Sequence, residues 1–184
     1  MKITLGLAAV AIVIAAVALY FYMSKPDAPQ TASESDAPQA LPESSEPPPQ
    51  IVWRAAQDAF LNENVRQDGW EQTAEGLQYS VEKEAADESP MPAPGSRVTV
   101  HYEGKLIDGN VFDSSYTRGQ PATFPLGGVI KGWQIGVPMM RQGEIWQFVI
   151  PASLAYGERD TGPIPAGSTL LFKVELLEVE TPAT

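Results

Sequence analysis

From Arg97 onward the apolar positions recur with a period of two. Val98, Val100 and Tyr102 fall on one side, and Arg97, Thr99 and His101 on the other. That alternation predicts a strand with one buried face. The stretch Glu144 to Ile150 repeats it with Trp146, Phe148 and Ile150. Thr169 to Val179 does so again, setting Leu170, Phe172, Val174 and Leu176 opposite Lys173 and Glu175. Upstream, Gly76 to Lys83 alternates as a first strand, followed by an exposed loop carrying Pro90, Pro92 and Pro94. Between the strands, Val129 to Val137 predicts a short helix with Trp133 and Val137 on one face. Pro138 near its end should keep that helix to two or three turns. Several strands and one short helix, without regular alternation, predict an α+β fold built on an antiparallel sheet.

The pattern changes character toward the amino terminus. Ile51 to Val65 reads as a helix, with Val52, Ala56, Ala59 and Phe60 as its apolar face and Gly69 as a stop. This helical region is assigned to residues 51–68 and is expected to dock on the domain at 76–180. Ser24 to Gln50 holds seven prolines and five carboxylates and no aromatic residue. Such a segment buries too little apolar surface to offset chain entropy, so residues 24–50 are expected to be a disordered linker. Ile3 to Met23 is an uncharged apolar run, long enough as a helix to cross a hydrocarbon core of about 30 Å. Residues 1–23 are therefore expected to be a transmembrane anchor. Cleavage after Ala16-Val17-Ala18, as in a signal peptide, is the alternative. The apolar run continues through Leu19 to Met23, which favours the anchor. On either reading the rest of the chain is exported, membrane-anchored on the periplasmic side or soluble after cleavage.

Charge and composition narrow the chemistry. A net charge of −11 over 184 residues, with no Lys/Arg cluster, argues against nucleic-acid binding. Without cysteine there is no disulfide and no thiolate metal site, and His101 is the single histidine. Gly127-Gly128 lacks the residues of a phosphate loop, so no cofactor is expected.

The densest signal runs from Val100 to Ser115: an alternating strand, a turn written Asp108-Gly109-Asn110, then Phe112-Asp113-Ser114-Ser115. With Gly76-Leu77-Gln78-Tyr79, Val129-Ile130-Lys131-Gly132-Trp133, Ala155-Tyr156-Gly157 and Leu170 to Leu177, it gives an ordered set of motifs. Together they resemble the FKBP family of peptidyl-prolyl cis-trans isomerases from about Gly76 to Val179. Phe60 to Asn64 ahead of them looks like the exported bacterial branch. The resemblance implies a twisted antiparallel sheet wrapped around a short helix, preceded here by the N-terminal helix and anchor.

It further implies a pocket with Trp133 as floor under a substrate proline ring and Tyr102, Phe112 and Phe172 as walls. Val129 and Ile130 would add side chains and the Ile130 N–H, and Ile164 would complete the lining. Tyr156 would give its hydroxyl to a substrate carbonyl, and Asp113 would order the polar rim with Arg118 as partner. Tyr102, Asp113, Trp133 and Tyr156 are thus the candidate catalytic residues. Taken singly each has a duller reading. Lone tryptophans and phenylalanines are usually core, an aspartate after a strand is usually a turn or cap, and His101 packs or hydrogen-bonds at the sheet. The order of the motifs outweighs these readings.

Two departures from the family pattern stand out. Ala122 occupies a position where many relatives place an aromatic, which would leave one pocket wall open. The flap from Gly157 to Pro165 is unusually charged, and Pro163 replaces a common glycine. The expected partners are proline-containing polypeptides and macrolides of the FK506 type. The expected activity is isomerisation of X–Pro bonds in exported proteins. The alternative is a non-catalytic chaperone or assembly module of the cell envelope using the same groove.

Overall fold

The structure, a computed structural model of the chain, describes residues 49–93 and 95–180. The apolar run 3–23, and all but the last two residues of the proline-rich stretch 24–50, lie outside the described residues. Among the described residues no helix is long and apolar enough to cross a membrane.

Helix α1 (Pro49–Asn64) comes first, with proline at a helix start, where its missing N–H costs nothing. Strands β1 (Glu71–Gln72), β2 (Gln78–Lys83), β3 (Arg97–Leu106) and β4 (Val111–Ser114) follow. Then come the single-turn helix α2 (Ser115–Arg118), strand β5 (Ala122–Pro125) and helix α3 (Lys131–Gly136). Strands β6 (Ile145–Ile150) and β7 (Leu170–Glu180) complete the order.

All seven strands join one antiparallel sheet in the order β1-β2-β6-β7-β3-β4, with β5 also paired to β3. The long pairing of β3 with β7 is the spine, running from Arg97 opposite Glu180 to Leu106 opposite Leu170. Along β3 every second residue from Val98 to Leu106 is buried, as the alternation dictates. The β3–β4 turn closes through Gly109, at φ +87°, whose N–H reaches the Leu106 carbonyl at 2.9 Å. Asp108 caps the same turn by accepting from the Asn110 N–H at 2.9 Å. The fold is thus α+β, an antiparallel sheet with a short helix packed on it.

Glycines set how closely α3 lies on the sheet. A Cβ at Gly132 would stand 2.5 Å from Ile150, and one at Gly136 would stand 2.5 Å from Phe148. No real side chain tolerates such contacts, so α3 packs backbone-to-ring and Trp133 is held down between β3 and β7. Six residues suffice before Pro138 ends the run in a 3-10 turn (Val137–Met139), a shorter helix than the two or three turns expected.

Helix α1 departs from the sequence expectation in its ends and in its orientation. It stops at Asn64, ahead of Gly69, which takes its left-handed φ of +82° in a later turn. Val52, Ala56 and Ala59 are exposed, and the buried residues of the helix are Gln57 and Asn64. The Asn64 amide donates to Gln78 Oε1 at 2.9 Å, and Gln78 Nε2 donates to the Leu61 carbonyl at 2.9 Å. Gln78 is fully buried beneath the helix. A buried amide demands partners, and those partners bring Asn64 and the Leu61 carbonyl inward, on a face where Trp53, Phe60 and Leu61 are half-buried.

Candidate active site

Residues from several elements converge on one cavity of about 770 Å³, within the range of small-ligand sites. Tyr102, Phe112, Asp113, Val129, Ile130, Trp133, Tyr156, Ile164 and Phe172 all line it. Trp133 is 4 % exposed and meets three rings edge to face. The centroids are 5.5 Å from Tyr102, 5.4 Å from Phe172 and 5.8 Å from Phe124, with interplanar angles of 83–89°. Edge-to-face packing is the favourable arrangement for such quadrupoles, and it fixes the indole as a rigid floor. The indole N–H is buried without an acceptor.

Phe112 stands edge-on to Phe172 at 5.6 Å. Both rings occupy space that a side chain at position 104 would need: a Cβ on Gly104 would lie 2.6 Å from Phe112 and 2.8 Å from Phe172. Gly104 is opposite Asp113 on β4 and Phe172 on β7. This glycine therefore makes room for the wall in the middle of the longest pairing.

Phe124 lines the cavity as well, a residue that the sequence reading did not single out. Ala122, where an open wall is expected, is not among the lining residues, and Phe124 lies two residues along β5. Alternation puts 122 and 124 on the same side of the strand, so the strand period was the signal that could have found it.

The polar rim is built from one short stretch. The hydroxyl of Ser114, the residue after Asp113, caps α2 by accepting from the Thr117 N–H at 3.3 Å. That single turn carries Arg118 back to Asp113, where the guanidinium pairs with one carboxylate oxygen and the Tyr102 hydroxyl donates to the other. Arg118 also donates to the Tyr102 oxygen at 2.9 Å. Partial burial opposes ionisation of Asp113, but the Tyr102 hydroxyl, Arg118 and the Ser114 N–H together outweigh it. The carboxyl is held below its ordinary value. Burial first, and then the bond to Asp113, raises the Tyr102 phenol. Ser115, wholly buried, accepts from the Tyr102 N–H at 2.7 Å and lies 2.9 Å from His101 Nδ1. His101 stacks on Tyr116 at 4.7 Å and does not line the cavity.

Across the cavity the flap from Gly157 to Gly167 closes at its base, where Gly167 N–H meets the Gly157 carbonyl at 2.8 Å. It contributes Arg159, Thr161, Pro163 and the buried Ile164 to the lining. Among the described residues the Tyr156 hydroxyl and the Ile130 N–H, both at the cavity, have no hydrogen-bond partner. An apolar floor, a rim of ordered charge and two free donors can hold an apolar ring with an adjoining carbonyl.

Residues 88–177 match the family described as FKBP-type peptidyl-prolyl cis-trans isomerase. The chain is 51 % identical over 121 residues to the FKBP-type 22 kDa peptidyl-prolyl cis-trans isomerase of Escherichia coli, covering 65 % of this chain and 58 % of that protein. It is 42 % identical over 131 residues to the outer membrane protein MIP of Legionella longbeachae, covering 71 % of this chain and 55 % of that one. Among solved structures, a peptidyl-prolyl cis-trans isomerase from Pseudomonas syringae aligns with a TM-score of 0.67 at 30 % identity, over 74 % of this chain and all of that one. The chain spans about half the length of the curated relatives it matches, 46–58 % of the first three. A sheet packed on one short helix, the aromatic floor between them and these matches lead to one conclusion: the chain belongs to the FKBP-type peptidyl-prolyl cis-trans isomerase family.

Proposed function

We propose that this protein accelerates cis/trans isomerisation of X–Pro bonds by binding the prolyl ring against Trp133. The observation that carries the reading is the indole floor with three rings edge-on to it, beneath a cavity with two free donors. An uncatalysed prolyl bond turns over in tens to hundreds of seconds. Planar amides are stabilised by resonance and, through their dipole, by water. Twisting the C–N bond gives up the resonance, at about 18–20 kcal/mol for a peptide bond and about 20 kcal/mol of activation energy for a prolyl one. An apolar pocket withholds hydration mainly from the planar state, which narrows the gap to the twisted one. Each tenfold of rate requires about 1.4 kcal/mol off the barrier.

In this mechanism Phe112, Phe124 and Phe172 exclude water around the ring, and Val129 and Ile164 close its edges. The Ile130 N–H and the Tyr156 hydroxyl donate to substrate carbonyls, holding the chain on either side while the bond between turns. A hydrogen bond kept through the twist lowers the barrier. Asp113 has its oxygens taken by Tyr102 and Arg118, so its role is to position the Tyr102 wall. The non-catalytic alternative draws on the small residue at 122 and on the charged flap from Gly157 to Pro165; Phe124 at the cavity favours the catalytic reading at the first of these.

Macrolides of the FK506 type would occupy the same cavity as competitors. The proposed clients are exported proteins, with the domain on the periplasmic side of a membrane. The apolar run 3–23 and the relative named as an outer membrane protein support that placement. Carbonate extraction tests anchoring: recovery in the soluble fraction would refute it. A prolyl-peptide isomerisation assay, with and without macrolide, tests the activity. Macrolide-sensitive acceleration is expected, and a folded protein without acceleration at micromolar concentration would refute the enzyme.

A further inference from the structure

Helix α1 lies outside the residues matched by the family, 88–177, yet it reaches the flap that walls the cavity. One face of its first three turns contacts the flap or its end at three points. The Trp53 indole N–H donates to the Ala166 carbonyl at 3.1 Å. The Arg54 guanidinium pairs with Glu158. The Gln57 side-chain oxygen Oε1 accepts from the Thr169 N–H at 2.9 Å. Glu158 begins the flap, Ala166 ends it and Thr169 leads into β7, so the helix ties both ends of the loop.

Otherwise the flap is held by short-range bonds of its own, Gly167 N–H to the Gly157 carbonyl at 2.8 Å, Thr161 N–H to the Ile164 carbonyl at 3.1 Å and Gly162 N–H to Asp160 at 2.8 Å, and by little buried surface. From Glu158 to Pro163 every residue is exposed, and Ile164 alone is buried before Ser168. Segments with few buried apolar contacts open at low free energy. The docked side of helix α1 is mixed: Gln57 and Asn64 are buried, Trp53, Phe60 and Leu61 are half-buried on the same face, and Ile51 and Val52 face solvent, 56 % and 54 % exposed. Gln57 is 3 % exposed and its amide nitrogen has no acceptor. Such a buried group costs stability, whereas its oxygen fixes the position of the Thr169 backbone.

We propose that α1 is a strut for the pocket flap, and that Trp53 and Arg54 are positioning residues for Tyr156 and Ile164. They act from outside the cavity by holding the flap over a bound ligand, so they govern how long the ligand stays. The ligand half of this inference rests on the proposed prolyl pocket; the mechanical half does not.

The test compares the full chain with Trp53→Phe/Arg54→Gln and with Asn64→Ala, which breaks the α1 contact to Gln78 away from the flap. Amide hydrogen exchange is followed at Thr161 and Gly167, alongside core amides of β3 and the dissociation rate of an FK506-type macrolide. Loss of the tie is expected to raise flap exchange and macrolide dissociation by about five- to tenfold, the range of one or two modest hydrogen bonds. Core exchange stays put, and Asn64→Ala leaves both flap readouts unchanged. Unaltered flap exchange in the double variant, or an equal rise in Asn64→Ala, overturns the strut. If the unaltered protein binds no macrolide, the pocket reading falls and flap exchange alone decides the strut.

Discussion

Phe124 stands edge-on to Trp133, with ring centroids 5.8 Å apart and planes at 89°. Phe124 lines the cavity and also packs edge-on to Tyr102, whose ring lies 5.9 Å away. Phe124→Ala should therefore lower both kcat/KM toward prolyl peptides and macrolide affinity by about tenfold or more, the size of one lost aromatic contact plus its burial. Ala122→Phe should not restore them. Full activity in Phe124→Ala would show that the ring is not part of the working wall.

Trp133 separates stability from function. Trp133→Ala leaves a large void and should cost about 3–5 kcal/mol by urea unfolding. Trp133→Phe should cost clearly less, because the smaller ring keeps most of the packing and removes an indole N–H that has no acceptor. Both variants should weaken macrolide binding, since the floor recedes in each. If Trp133→Phe unfolds as easily as Trp133→Ala, the buried N–H is satisfied in a way this geometry does not contain.

Acid should loosen the rim. The Asp113 carboxyl is held below its ordinary value, so in the acid range the unfolded chain binds the proton that the folded chain refuses. Stability from this group is complete above about pH 4 and is lost as the pH falls through the folded value. Asp113 and Arg118 are 41 % and 47 % exposed, so screening keeps the effect modest. Asp113→Asn should flatten the acid limb of stability below about pH 4, followed as the urea midpoint. Superimposable profiles would contradict the assignment.

Charge at the cavity mouth should bias substrate choice. Lys131 and Arg159 both line the cavity, and neither has a carboxylate within ion-pair distance among the described residues. In a chain of net charge −11 they form a local positive rim. Peptides with glutamate before proline should gain over those with lysine by about three- to tenfold at low salt, and the gain should shrink as salt rises. Lys131→Ala/Arg159→Ala should abolish the difference. A preference that ignores both salt and these substitutions would refute the steering.

The sequence carried unequal information about these parts. Strands β3 and β7 were legible because each buries one side, so the hydrophobic period matches the pleat; β6 alternates until Val149, which is buried along with Ile150. The docked face of α1 was not. Its contacts are made by Trp53, Gln57 and Asn64, while the apolar positions Val52, Ala56 and Ala59 face outward. Periodicity registers greasiness, and here the sheet surface at Gln78 and Thr169 asks for hydrogen bonds instead. Phe124 escaped for another reason: β5 is four residues long, and a partly buried phenylalanine reads alike in a core and in a pocket wall. The grouping around Trp133 was accessible through the order of motifs alone, because no single aromatic residue announces whether ligand or protein will cover it.

Exchange NMR on a short proline peptide with substoichiometric protein tests the central claim most directly. The account predicts cis and trans resonances exchanging far faster than in buffer, a shifted Trp133 indole signal on peptide binding, and loss of both when macrolide fills the cavity. Unchanged exchange from a protein with a well-dispersed, folded spectrum would contradict it.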